Sequence, residues 1–114
     1  MKKIIMFLVL SLCVSSVAYA HPPSDIKITY DSKTKILTAL IMHNVSDVKK
    51  HYISKVDVSL NGREIISQAI SQQDNNINQK VSYMIPDAKA GDKLSVEGYC
   101  SISGKLAKEV IAPK

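Results

Sequence analysis

The sequence predicts an all-β protein, an immunoglobulin-like antiparallel β-sandwich of about seven strands. Short stretches of alternating apolar and polar residues recur along the chain, and polar turn residues separate them. Asn61-Gly62 lies between two such stretches and is the strongest hairpin signal in the sequence. Long segments with helical periodicity are absent from the pattern, so we expect the strands to pack as two facing sheets.

The first two predicted strands differ in their patterns. Residues 25–30 alternate regularly and place three large side chains on one face, namely Ile26, Ile28 and Tyr30. Residues 35–43 are apolar on both faces, which predicts a central position in a sheet. One face of this second strand carries the row Leu37, Ala39, Ile41 and His43.

The next two strands form the predicted hairpin. The third strand spans residues 51–60 and begins at His51, after a polar loop. Asn61-Gly62 then fits a type I′ turn, because that turn requires positive φ at both central residues. The fourth strand returns over residues 63–70, and a polar loop rich in glutamine and asparagine follows at residues 71–78.

Three further strands complete the sandwich, at residues 79–85, 93–101 and 105–112. Turns containing Gly91 and Gly104 separate them. The expected inward rows are Val81, Tyr83 and Ile85 on the fifth strand, and Leu94, Val96, Gly98 and Cys100 on the sixth.

Residues 1–20 have the pattern of a cleaved signal peptide. Lys2 and Lys3 precede a short apolar run, and Ala18-Tyr19-Ala20 is a small-x-small cleavage site. The expected mature protein is one domain, residues 21–114, in the periplasm or secreted. Without Lys2 and Lys3 its formal charge is +3 rather than +5. These charges are scattered and aromatic residues are few, which argues against nucleic-acid binding. We expect no membrane attachment after cleavage.

The mature chain would retain a single cysteine, Cys100, because Cys13 lies in the predicted signal peptide. A lone cysteine is unusual in a small exported domain. Three interpretations are open: a small buried apolar residue, one half of an intermolecular disulfide, or a metal-binding thiolate.

Two histidines are placed to meet this cysteine. His43 ends one inward row and Cys100 ends another, while His51 begins a strand at the same expected pole of the sandwich. Two imidazoles and one thiolate suit iron, copper or zinc. Each residue alone is more typically structural, so the metal-site prediction depends on their convergence.

His21, the first residue after the predicted cleavage, suggests a separate copper site. An N-terminal histidine can bind Cu(II) through its amine and its ring. Pro22 and Pro23 have no backbone N–H and so remove the competing mode that uses deprotonated amides. The alternative is a frayed polar terminus.

Three motifs in the mature chain resemble the iron domain of the desulfoferrodoxin and superoxide reductase family. His21-Pro22-Pro23 is similar to the family's early His-x-Pro. His43, followed by His51-Tyr52-Ile53, is similar to its paired histidines, with a slightly longer loop. Tyr99-Cys100 and Gly104 fit its late Tyr-Cys-Asn-x-His-Gly. The resemblance spans nearly the whole mature chain.

The resemblance implies a mononuclear iron site and one-electron reduction of superoxide to peroxide. Cys100 would be the axial thiolate, and His21, His43 and His51 would be imidazole ligands. An external electron donor would be required. Ser103 stands where the family has a fourth histidine, Asn44 replaces a proline, and Ala20 replaces a lysine. These differences predict impaired activity.

A second resemblance, to the Z subunit of the Sox thiosulfate-oxidising system, points to another function. It involves His51-Tyr52-Ile53, residues 56–62 and Ala90-Gly91-Asp92. It implies a non-enzymatic partner of a sulfur-carrier protein, and it accounts for neither His43 nor Cys100. The open functions are thus an iron protein, a binding module without metal, and a copper protein.

Overall fold

The computed structural model describes residues 21–114, which form seven strands. The predicted signal peptide lies outside these residues. The strands are β1 (Asp25–Asp31), β2 (Ile36–Met42), β3 (Ile53–Leu60), β4 (Arg63–Ala69), β5 (Asn78–Met84), β6 (Lys93–Cys100) and β7 (Lys105–Ile111). Within this part of the chain no helix is long and apolar enough to cross a membrane.

The strands form two antiparallel sheets, as the alternation predicts. One sheet has the order β1-β2-β5, and the other has the order β4-β3-β6-β7. Along the chain the strands change sheet three times, between β2 and β3, β4 and β5, and β5 and β6. The all-β sandwich is therefore confirmed, while its immunoglobulin-like classification stays a prediction.

The core lies between the inward rows of both sheets. Leu37, Ala39 and Ile41 of β2 are fully buried, as are Val56 and Val58 of β3. Their alternate neighbours point outward, so the central strand β2 is covered on one face and partly exposed on the other. The sheets approach closely at Gly98, where a Cβ would lie 3.2 Å from Ile41 Cγ2.

The predicted hairpin turn joins β3 to β4. Asn61 has φ 51° and Gly62 has φ 87°, the positive values that a type I′ turn requires. The pairing of β3 with β4 is less regular than this turn, because its register shifts between Val58 and Ser59.

The site-bearing segments gather at the opposite pole from this turn. Because alternating strands place these ends together, this pole carries residues 21–24 before β1, the β2–β3 connection, the β4–β5 connection and the β6–β7 hairpin. The predicted strand ends differ from the observed ones by at most one residue except at the start of β3, which begins at Ile53, not at His51. His51 instead closes a turn, in which its N–H donates to the Asp47 carbonyl oxygen at 2.9 Å.

Candidate metal centre

All three histidines of the chain converge at this pole. Nitrogen atoms of His21, His43 and His51 lie within 4.8 Å of one another. The ring centroids are 4.8 to 5.0 Å apart and form a nearly equilateral triangle. His43 is fully buried, whereas the other two rings are partly exposed. The cluster could hold a metal ion.

Each histidine is positioned by the backbone around it. His43 follows β2 and continues its inward row, and its N–H donates to the Ile77 carbonyl oxygen at 2.8 Å. The turn at Asp47 brings His51 back to the same pole. His21 extends across the site, with its Nε2 atom 3.0 Å from the Asn44 carbonyl oxygen.

Pro22, in the segment before β1, packs against the β6–β7 hairpin at Gly104. Gly104 has φ 92°, and a Cβ at this position would lie 3.0 Å from both Pro22 Cβ and Pro22 N. Only glycine combines this backbone conformation with so close an approach. The position of His21, one residue before Pro22, therefore depends on Gly104.

Cys100 lies directly beside the cluster at the end of β6. Its Sγ atom is 3.2 Å from His51 Nε2, and the backbone N–H of Ile102 donates to the same sulfur at 3.4 Å. Metal bonds of about 2.1 Å to nitrogen and 2.3 Å to sulfur place two ligands at right angles about 3.1 Å apart. The observed separation is that of a direct hydrogen bond between the ring and the thiol, and it also fits adjacent ligands of one ion. Cys100 is free and 7% exposed.

Gln73 supports the cluster from the β4–β5 connection and was missed by the sequence interpretation, which treated residues 71–78 as an undistinguished polar loop. Its side chain is almost completely buried, and its Oε1 atom lies 2.8 Å from His43 Nδ1. Metal-binding histidines usually have such a partner on their second nitrogen. The one available signal was topological, since this loop follows a strand that ends at the same pole as the candidate ligands.

The electrostatic environment favours a neutral ligand at His51. Burial lowers the pKa of His51 from its usual value, and the neighbouring His43 and His21 lower this pKa further. A neutral imidazole is the form that binds a metal ion. His51 therefore stays available as a ligand at lower pH than an exposed histidine would.

An open groove of about 430 Å³ gives solutes access to the cluster. His21 and His51 form part of its wall, whereas the buried His43 does not. Lys50 and Ile102 also line it. The accessible side of a bound ion would therefore be the side of His21 and His51.

The structure thus brings together three of the candidate ligands, His21, His43 and His51. Cys100 contacts the cluster at His51 but does not belong to the group of mutually close ligand atoms. Ser103 is exposed in the β6–β7 hairpin and does not belong to the three-histidine cluster. No protein-family model matches the chain, and no curated protein shows significant similarity to it.

Proposed function

We propose that this chain is an exported mononuclear iron protein that reduces superoxide to peroxide by one electron. The observation that carries the proposal is the cluster of three imidazoles, beside which the thiol of Cys100 lies 3.2 Å from His51 Nε2. Nitrogen and sulfur donors in this combination suit iron, although copper and zinc accept similar sets.

The protein residues would have distinct roles in this reaction. Ferrous iron would supply one electron to superoxide, and two protons from water would complete hydrogen peroxide. Cys100 would donate electron density as a thiolate, while the buried His43 would shield the inner side of the site from solvent. The groove beside His21 and His51 would admit superoxide and release peroxide. An external donor would return the electron.

Metal analysis and product stoichiometry test this function. The proposal predicts about one iron per correctly processed chain and one peroxide for each superoxide consumed in the presence of a reductant. Dismutation would yield one peroxide for every two superoxides. Stoichiometric copper would favour the copper function instead. Purified exported protein that neither contains nor takes up a metal would favour a Sox-like binding module.

The Cys100→Ser variant tests the thiolate role separately. We expect the ferric wild-type protein to show a visible thiolate-to-iron charge-transfer band, and the variant to lose it while retaining the three imidazoles. Ser103→Ala, in the same hairpin but with an exposed side chain, is the control and should keep the band. An unchanged spectrum in Cys100→Ser would contradict coordination by this sulfur.

A further inference from the structure

The buried side chain of Gln73 hydrogen-bonds to several groups around the three-histidine cluster, although Gln73 lies in a connection between strands. Its Oε1 atom receives a hydrogen bond from the Ile53 N–H at 3.2 Å and lies 2.8 Å from His43 Nδ1. Its Nε2 atom donates to the carbonyl oxygens of His43 and Asn75 at 2.8 and 2.9 Å. The side chain is 1% exposed, so water cannot replace these partners.

These partners determine which way the amide of Gln73 is oriented. A backbone N–H can only donate, so the atom facing Ile53 must be the oxygen. Backbone carbonyls can only accept, so the atom facing His43 O and Asn75 O must be the NH₂ group. The oxygen therefore also faces His43 Nδ1, and this ring nitrogen must be the donor.

This orientation determines which nitrogen of His43 is available to a metal. A neutral imidazole has one N–H, and in His43 that N–H is held at Nδ1 by Gln73. In the neutral ring, the form that binds a metal ion, the Nε2 atom then carries a lone pair and lies 3.2 Å from the His21 carbonyl oxygen, which is also an acceptor. In this fully buried ring, a bound cation would give the Nε2 lone pair a favourable partner.

Gln73 also links His43 to His51. Its bond to the Ile53 N–H holds the first residue of β3, two positions after His51. The backbone N–H of Gln73 in turn donates to the Val48 carbonyl oxygen, within the connection between the two histidines. Gln73 therefore hydrogen-bonds to His43, Val48 and Ile53, which lie at the start, the middle and the end of the segment that carries His43 and His51.

We propose that Gln73 is the positioning residue of the metal site, which selects Nε2 of His43 as the metal-binding atom and fixes the spacing between His43 and His51. This inference rests on the proposed metal site but not on the identity of the ion or on superoxide reduction. Gln73 would touch neither the metal nor a substrate and would act through His43.

Three variants separate this role from a general effect on folding. Gln73→Met removes both the acceptor and the donors at similar volume, whereas Gln73→Glu keeps the acceptor for His43 Nδ1–H and removes only the donors to the His43 and Asn75 carbonyls. Gln79→Met is the matched control, since Gln79 is 6% exposed and hydrogen-bonds to Asp74 and Lys80 but to no histidine. All three would be compared with the wild type as the full mature chain.

Co²⁺ affinity, measured by competition with a chelator, is the first readout. We expect Gln73→Met to bind Co²⁺ about 10- to 100-fold more weakly, the effect typical of losing a partner of a metal-binding histidine. Gln73→Glu should recover only the part of this loss that comes from the Nδ1 acceptor, since its second oxygen faces the His43 and Asn75 carbonyls. Gln79→Met should bind as the wild type does. Wild-type affinity in Gln73→Met, or an equal loss in Gln79→Met, would overturn the inference.

Nitrogen NMR of the metal-free protein is the second readout and needs no bound ion. The wild type should show His43 with its proton on Nδ1, and Gln73→Met should shift this proton toward Nε2, where the His21 carbonyl can accept it. An unchanged tautomer in the variant would refute the positioning role. If the wild type binds no metal at all, the proposed function fails, whereas wild-type binding with an insensitive Gln73→Met refutes only this inference.

Discussion

The contact between Gly104 and Pro22 makes a sharp prediction about the metal site. In Gly104→Ala, the new Cβ would lie 3.0 Å from Pro22 N and Pro22 Cβ, about 0.4 Å short of the 3.4 Å at which ordinary contact begins. The backbone atom cannot rotate away as a flexible side chain would. Pro22 must therefore move, and the adjacent His21 must move with it.

Two effects determine how far Gly104→Ala should lower the free energy of unfolding and the Co²⁺ affinity. Alanine at φ 92° is strained, which lowers the free energy of unfolding by about 1–3 kcal/mol. The displacement of Pro22 then exceeds the ±0.2 Å or so within which metal–ligand distances are normally held. We expect Co²⁺ affinity to fall about 10- to 100-fold, as for loss of support to a ligand.

Gly91→Ala provides the matched control. Gly91 has nearly the same φ, 91°, but a Cβ there would meet nothing within 4 Å. The control should lose similar stability from backbone strain, readable as a shift of about 4–8 °C in Tm per kcal/mol in a domain of this size. Its Co²⁺ affinity should equal that of the wild type. If both variants bind Co²⁺ equally well, His21 does not depend on the Gly104 contact and the reasoning fails.

Two further predictions concern stability. Leu37→Ala should lower the free energy of unfolding by about 2–5 kcal/mol, because Leu37 is fully buried in the core. Ile36→Ala, on the outer face of the same strand, should change it by only about 0.5 kcal/mol; denaturant titrations with equal losses would contradict the assigned strand faces. In the metal-free protein, the lowered pKa of His51 should reduce stability as the pH falls below the ordinary value of 6.5, since the unfolded chain then binds the proton more readily. His51→Asn should flatten that part of a pH series of unfolding free energies, and an unaltered slope would show that His51 is not its source.

Alternation was sufficient to predict the strands because each sheet buries one face. The rows Leu37–Ala39–Ile41 and Leu94–Val96–Gly98–Cys100 are buried as expected. Apolar residues on both faces of β2 predicted its central position, but its outer face is partly exposed, so the pattern predicts the position of the strand better than its complete burial. On β5, Tyr83 was also expected in an inward row, but it is only half-buried, and its hydroxyl donates to the Gln68 side chain.

The candidate site was only partly predictable, for reasons that lie in the connections. Strand ends place His43 and Cys100 at one pole, which periodicity can show. The turn at Asp47, which returns His51 to that pole, depends on backbone hydrogen bonds that leave no apolar pattern. Gln73 was hidden for the same reason, because a buried glutamine and an exposed one in a polar loop have identical sequence signatures.

The candidate ligands meet at one pole although they come from distant positions in the sequence, so metal binding and folding would be coupled. His51 and Cys100 are 49 positions apart, and His43 is 22 positions from His21. Such distant groups are not held together in an unfolded chain, so a cation would bind the native state preferentially and stabilise it by mass action. Each tenfold rise in free cation above the dissociation constant would add about 1.4 kcal/mol to that stability. The ion would serve a small domain that has no internal disulfide among its described residues as a reversible cross-link between the two ends of its sequence.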